Sequence, residues 1–243
     1  MMKTMMACTA IALGLATMPA AAQDEEFGAK VRDYLMANPA VVVEALQAYD
    51  AQEKQAAYDR SLAAVNEVRD AIASDPDSPR LGAIGAEATV IVEFADYRCP
   101  HCRRANEAMR SVLADRPDVQ LIVREFPVLG EQSVLAAQLA LGVNALHGPD
   151  AYRELHDQLF DIGGQVDAAW IRDYAGVKGW NLAELEESMK SDAVLAEISQ
   201  TEALARAIGI QGTPYFIIGD TLAPGALTPE QILGVLDAEA AGK

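Results

Sequence analysis

Cysteine is scarce in this chain: there are three among 243 residues, and one of them, Cys8, lies in the first ten. Three cysteines cannot build a disulfide-stapled mini-domain. Histidine is as scarce, with His101, His147 and His156 alone, and none completes the four-ligand pattern of a structural zinc site. Basic residues number 19 against 36 acidic ones, for a formal net charge of −17. Such a chain would add repulsion where nucleic acid binding needs counterion release, and it is equally unsuited to an anionic membrane surface. No stretch past the N-terminal segment reaches the ~18 apolar residues that span a bilayer. Gly82-Ala83-Ile84-Gly85 lacks the pattern and context of a dinucleotide fingerprint, and no Ser-centred nucleophile elbow occurs. What is present is a globular composition, 51% hydrophobic and 23% charged, long enough for one sizeable core plus an appendage.

The opening MMKTMMACTAIALGLATMPAAAQDEE has one lysine, Lys3, then an apolar run from Met5 to Thr17. Small residues Ala20 and Ala22 precede an acidic stretch. That is the pattern of a secretory signal peptide over residues 1–22, removed together with Cys8. Export would place the two remaining cysteines in an oxidising compartment, the periplasm for a bacterial-looking chain.

Residues 24 to 75 read as helix, punctuated at Asn38-Pro39, with Pro39 suited to the first turn of a second helix. Val42, Leu46, Tyr49, Glu53 and Ala56 follow a 4-3-4-3 spacing, and Tyr58, Leu62, Val65, Arg69 and Ile72 repeat it. This imperfect seam has two readings. It is either an amphipathic helix packed on its own domain or an arm, residues 23–75, that joins copies into a homo-oligomer (trimer or dimer). Ser74 to Pro79 is turn-rich and marks a boundary, giving an arm and linker over 23–78 and a second domain over 79–243.

Within the second domain, Thr89 to Ala95 and Val119 to Phe126 are short β-rich runs on either side of a helical stretch from Pro100 to Ala114, a βαβ unit. Residues 131–208 read as a helical block, with breaks at Gly148-Pro149, Gly163-Gly164 and Gly176 to Gly179. A late hairpin follows at Tyr215 to Ile218 and Leu222-Ala223, then a helix capped by Thr228 with Pro229 in its first turn. The fold class is therefore α/β, a mixed sheet interrupted by helices.

Cys99-Pro100-His101-Cys102 sits where the first strand gives way to a helix. The free N–H groups and dipole of a helix N-terminus favour an anion, and a thiolate is one. Cys99 should therefore attack and be attacked, and Cys102, one turn in, should resolve the mixed disulfide. Pro100 suits a first helical turn because no N–H donor is needed there. His101, if protonated, would place positive charge beside the thiolate. Glu93 is a carboxylate inside an apolar strand, an arrangement suited to proton transfer with Cys102, or else simply a residue on a solvated face. Thr213-Pro214 opens the late strand after Gly212. His147 and His156 read as surface residues on helices, and Trp170 and Trp180 as packing residues.

The segment from Glu93 to Cys102 resembles the active-site segment of the DsbA-like thiol–disulfide oxidoreductases. Gly212-Thr213-Pro214 is similar to their cis-proline loop, and Phe126-Pro127-Val128-Leu129-Gly130 with Ser133 to their post-strand loop. The resemblance covers about residues 80 to 240. It implies a thioredoxin fold, a mixed central sheet flanked by helices with an inserted helical subdomain near 131–208 and, here, an N-terminal helical arm. It implies a redox-active Cys99–Cys102 disulfide with no cofactor and no metal, and a cis Pro214 lying against that pair. Thr213 would offer backbone groups to an extended client. Threonine before this proline resembles isomerase and reductase members more than the principal oxidases. Tyr34-Leu35 and Asn38-Pro39 resemble the arm of ScsC-like relatives, some of which trimerise. The implied partners are exported clients carrying thiols or disulfides and a membrane redox partner that recycles the pair, with no nucleic acid. The other reading is a copper-binding or chaperone-like periplasmic module using Cys99, His101 and Cys102.

Overall fold

Strand alternation decides this architecture. In β2 (Thr89–Ala95), Ile91, Glu93 and Ala95 point to one face while Val92 and Phe94 point to the other, and both faces are buried. In β3 (Val119–Glu125), Leu121, Val123 and Glu125 alternate in the same way with Gln120, Ile122 and Arg124. The two strands pair in parallel, with Glu93 opposite Val123 and Ala95 opposite Glu125. Parallel pairing needs a crossover, which is α3 (Pro100–Asp115). The chain is described over residues 20–85 and 88–241 in a computed structural model; residues 1–19 of the expected signal peptide, with Cys8, lie outside the described residues.

The sheet has five strands in the order β1-β3-β2-β4-β5. Its antiparallel members are β1 (Arg80–Gly82), β4 (Tyr215–Ile218) and β5 (Thr221–Pro224). Between β3 and β4 run four helices: α4 (Glu131–Asp161), α5 (Ala168–Lys178), α6 (Leu182–Met189) and α7 (Asp192–Ile208). They form the inserted subdomain of a thioredoxin fold. Gly148, at φ 80°, with Pro149 breaks α4 in two. Asp167, Asn181 and Ser191 cap α5, α6 and α7 through side-chain oxygens. The chain closes with α8 (Pro229–Ala241).

Helices α3, α4 and α8 cover the sheet face that carries Ile91, Val123 and Phe216. The opposite face, with Val92, Phe94, Ile122 and Ile217, is covered by α7 and by residues of α2 (Pro39–Ser74). Helix α2 is divided: the compact units of the chain are residues 1–55 and 56–243. From Tyr58 on, the helix belongs to the second unit, with Val65 and Ile72 buried and Arg69 donating to the Gly219 carbonyl at 2.6 Å. The expected boundary at Ser74 to Pro79 is not where the compact unit begins. That segment is fastened down, because Arg124, buried in β3, pairs with Asp75 at 2.8 Å and with Glu197 of α7 at 2.7 Å, and Ser78 donates to Glu197. A buried guanidinium needs such partners, and they pin the turn.

In the first unit, α1 (Ala20–Ala37) and the start of α2 carry apolar side chains in the open. Phe27, Val31 and Tyr34, then Val42, Leu46 and Tyr49, recur at the 4-3 spacing of a helix face, and all six are exposed.

Candidate active site

Helix α3 begins one residue after its N-cap, which is Cys99 itself, in extended backbone conformation with Pro100 at the first helical position. The Cys99 N–H donates to the Asp96 carbonyl at 3.0 Å, and its own carbonyl accepts from Arg103 N. The turn that holds it, Asp96 to Arg98, is braced from three sides. The buried Asp96 carboxyl accepts backbone N–H groups from Arg98, Val128 and Leu129 at 2.8–3.0 Å, tying the loop after β3 to the turn. Arg103 and Asn106 fasten α3 to α4 through the Phe160 carbonyl and Asp157. Gly164 passes beneath at φ 63°, where a Cβ would lie 2.9 Å from Tyr97 Cβ, so no other residue fits there without displacement.

Both cysteines are free thiols. Cys99 keeps 6% exposure and Cys102 none, so only the first is open to another molecule. Cys99 Sγ lies 3.3 Å from the Thr213 carbonyl oxygen and donates to it. The Thr213–Pro214 bond is cis, and Pro214 is buried. Burial pushes the Cys102 thiol far up and the charge of Glu93 adds to this, while hydrogen bonds from the Thr213 side chain and the Asp96 backbone oppose them. A Cys102 thiolate would therefore take up a proton readily, and the thiol needs an acceptor before it can ionise.

Glu93 sits on the sheet face below. It is 1% exposed, and its Oε1 has no hydrogen-bond partner. Burial, then the charges of Glu125 and Cys99, push its carboxyl up to about 8. The solvated-face alternative for Glu93 is thereby removed. His101 is exposed, and its Nδ1 lies 2.5 Å from Arg104. A guanidinium can only donate, so Nδ1 is the acceptor in this contact.

Four groups in and beneath the turn were not among the sequence-based candidates. Glu125 Oε1 accepts from Tyr97 Oη at 2.6 Å and from Tyr152 Oη at 2.7 Å, and His156 Nδ1 lies 2.9 Å from Tyr97 Oη. All four side chains are buried. His156 is thus a core residue, contrary to the surface position expected for it, because α4 turns this face onto the sheet. Glu125 ends its strand beside Arg124, so it lacks the isolation among apolar residues that marked Glu93. His147 is exposed but stacks on Trp180 at 4.0 Å, and Trp170 stacks on Tyr174, as packing residues would.

Residues 90–237 match the DSBA-like thioredoxin domain model, and residues 23–56 match the copper resistance protein ScsC N-terminal domain model. A linker-deletion variant of Proteus mirabilis ScsC is 31% identical, with a TM-score of 0.68, covering 95% of this chain and 100% of that one. A thioredoxin-like oxidoreductase from Silicibacter pomeroyi is 34% identical, with a TM-score of 0.64, over 71% of this chain and 98% of its own. Disulfide bond formation protein D of Bacillus subtilis is 26% identical over 190 residues, 72% of this chain and 83% of that protein. The chain also matches Na(+)/H(+) antiporters NhaA of Salinispora tropica and Salinispora arenicola, spanning only 22% and 26% of their lengths.

Proposed function

The chain belongs to the DSBA-like thioredoxin-domain family, and we propose that it exchanges disulfide bonds in exported client proteins through the Cys99–Cys102 pair. The observation that carries this reading is the asymmetry of the two sulfurs. One is at a helix N-cap with a window to solvent, and the other is sealed beneath it against Glu93. In the oxidising direction a client thiolate attacks Cys99 Sγ, the Cys99–Cys102 bond breaks, and its electron pair goes to Cys102 Sγ, which takes a proton from Glu93. A second client thiolate then attacks the client sulfur of the mixed disulfide, and Cys99 leaves as thiolate. The client loses two electrons and the pair gains them. Run backwards, Cys99 opens a client disulfide and Glu93 takes the Cys102 proton. Pro214 and the Thr213 carbonyl, 3.3 Å from Cys99 Sγ, form the wall against which an extended client lies.

The reading leans to isomerase or reductase in the periplasm, with a membrane redox partner restoring the active form. Its support is the exposed apolar row of the first unit together with the match of residues 23–56 to the ScsC N-terminal domain. Such a row is buried in an assembly of copies, which sets several active sites around one misfolded client. The Leu46→Glu/Tyr49→Glu double variant, compared with the full chain by light scattering, tests this. The unmodified chain is expected at two or three times the monomer mass and the variant at monomer mass. The variant is also expected to lose unscrambling of a scrambled ribonuclease while still oxidising a reduced substrate. Equal masses would contradict the arm. The copper-binding reading has no supporting observation; among the described residues no three His, Cys, Asp or Glu side chains gather as metal ligands.

A further inference from the structure

Glu93 and Glu125 lie on neighbouring strands, on the same face of the sheet, offset by two residues. Both are about 1% exposed, and burial pushes both carboxyls up to about 8; the charge of Glu125 adds to the shift of Glu93, while the two phenol hydrogen bonds act against the shift of Glu125. Their hydrogen bonding is unequal. Glu125 Oε1 accepts from two phenols, whereas Glu93 Oε1 accepts from nothing. A buried carboxylate anion needs donors, and a neutral carboxyl tolerates a bare carbonyl oxygen far better. The donor chain fixes its own direction. With Glu125 an anion, Tyr97 and Tyr152 each give it their one proton, and His156 Nδ1, 2.9 and 3.2 Å from the phenol oxygens, is then an N–H that donates to them. His156 Nε2 is then a lone pair, and it is buried with no partner, as a neutral ring can be. Burial holds His156 down at about 3, in keeping with that tautomer.

From this arrangement we propose that Glu125, gripped by Tyr97 and Tyr152 beneath the active-site turn, is a positioning residue for disulfide exchange. It carries the single negative charge of a buried two-carboxyl pair and so keeps the pair's proton on Glu93, where the departing Cys102 sulfur takes it up. The inference rests on the oxidoreductase reading and adds the group that acts through Glu93. Among the described residues, the titratable groups that act on the pair come from several elements. Cys99 and Cys102 come from the start of α3, Asp96 and Tyr97 from the turn, Tyr152 and His156 from α4, and Glu197 from α7. Arg124 lies on the opposite sheet face, engaged by Asp75 and Glu197. Tyr97 is two residues from Cys99, so the network is built into the same turn that presents the reactive sulfur.

The test is single-turnover reduction of the disulfide form by glutathione between pH 5 and 9, quenched with acid and read by alkylation and mass. Glutathione's own ionisation cancels in the ratio of variant to unmodified rates. In Glu125→Gln the like charge is gone, Glu93 gives up its proton sooner, and the ratio is expected to fall as pH rises, because the variant loses the Glu93 proton about one pH unit below the unmodified chain. Tyr152→Phe, which keeps the ring and removes one donor from the Glu125 anion, is expected to move the profile in the same direction by less. A ratio that is constant with pH in both folded variants overturns the proposal and leaves Glu125 structural. If the unmodified chain itself forms no disulfide that glutathione can reduce, the oxidoreductase reading fails, and the proposal with it.

Discussion

Cys99→Ser is expected to abolish disulfide exchange, a loss on the order of a thousandfold or more, while Cys102→Ser is expected to stop the reaction halfway. The two sulfurs are only one helical turn apart, yet their surroundings differ in kind. Cys99 caps α3, faces the Thr213 carbonyl and keeps the only exposure of the pair. Without its sulfur no client can bond to the site, because Cys102 is sealed. With Cys99 kept and Cys102 changed, a client sulfur still bonds to Cys99, and nothing beneath can displace it. Treated with a peptide disulfide, the Cys102→Ser protein should therefore accumulate as a one-to-one mixed disulfide, the Cys99 thiolate displacing one half of the peptide disulfide as a thiolate, seen as an added peptide mass that a reductant removes. Accumulation on Cys102 in the Cys99→Ser protein would reverse the roles assigned here.

Glu93→Gln is expected to produce the second large effect, in two directions at once. The folded protein holds the Glu93 proton up to about 8, whereas an ordinary carboxyl releases it near 4.5. Below about pH 4.5 both states are protonated, and the group's contribution to stability is fully present. As pH rises towards 8 the unfolded chain ionises first, so that contribution is progressively lost. Glutamine cannot ionise and escapes this penalty. Urea unfolding should find the variant and the unmodified chain equally stable near pH 4, and the variant more stable by about 3 kcal/mol at pH 7. Exchange, meanwhile, should slow by about a hundredfold, since Cys102 loses its proton donor. A variant that gains stability without losing rate would remove Glu93 from the reaction and leave it a buried polar group of unknown use.

Much of this site could be read from residue order because its parts are local. Cys99 to Cys102 occupy one turn, the preceding strand is a continuous apolar run, and Thr213-Pro214 announces the next strand by its own backbone restriction. Glu93 stood out because a charge between Val90-Ile91-Val92 and Phe94 has no cheap place to go. Other features needed the fold. Glu125, Tyr97, Tyr152 and His156 come from a strand end, a turn and the middle of α4, and only tertiary packing brings them together. Tyr152 and His156 are four apart on one helix face, yet the same spacing marks solvated faces as often. The three residues of β1 are too few to show alternation. The two halves of α2 share one apolar rhythm, and the sequence left open whether it seals a domain or meets another chain. In the structure the half after Tyr58 is packed on the sheet, while the half before Gln55 keeps its apolar row exposed.

The most direct test of the account is equilibrium of the purified chain with glutathione buffers over a wide range of reduced to oxidised ratio. The products are quenched with acid, alkylated and weighed. The account expects one two-electron transition between a dithiol and an internal Cys99–Cys102 disulfide, with the same midpoint whether approached from the oxidised or the reduced side. Stable glutathione adducts on separate thiols, with no internal disulfide at any ratio, would contradict it.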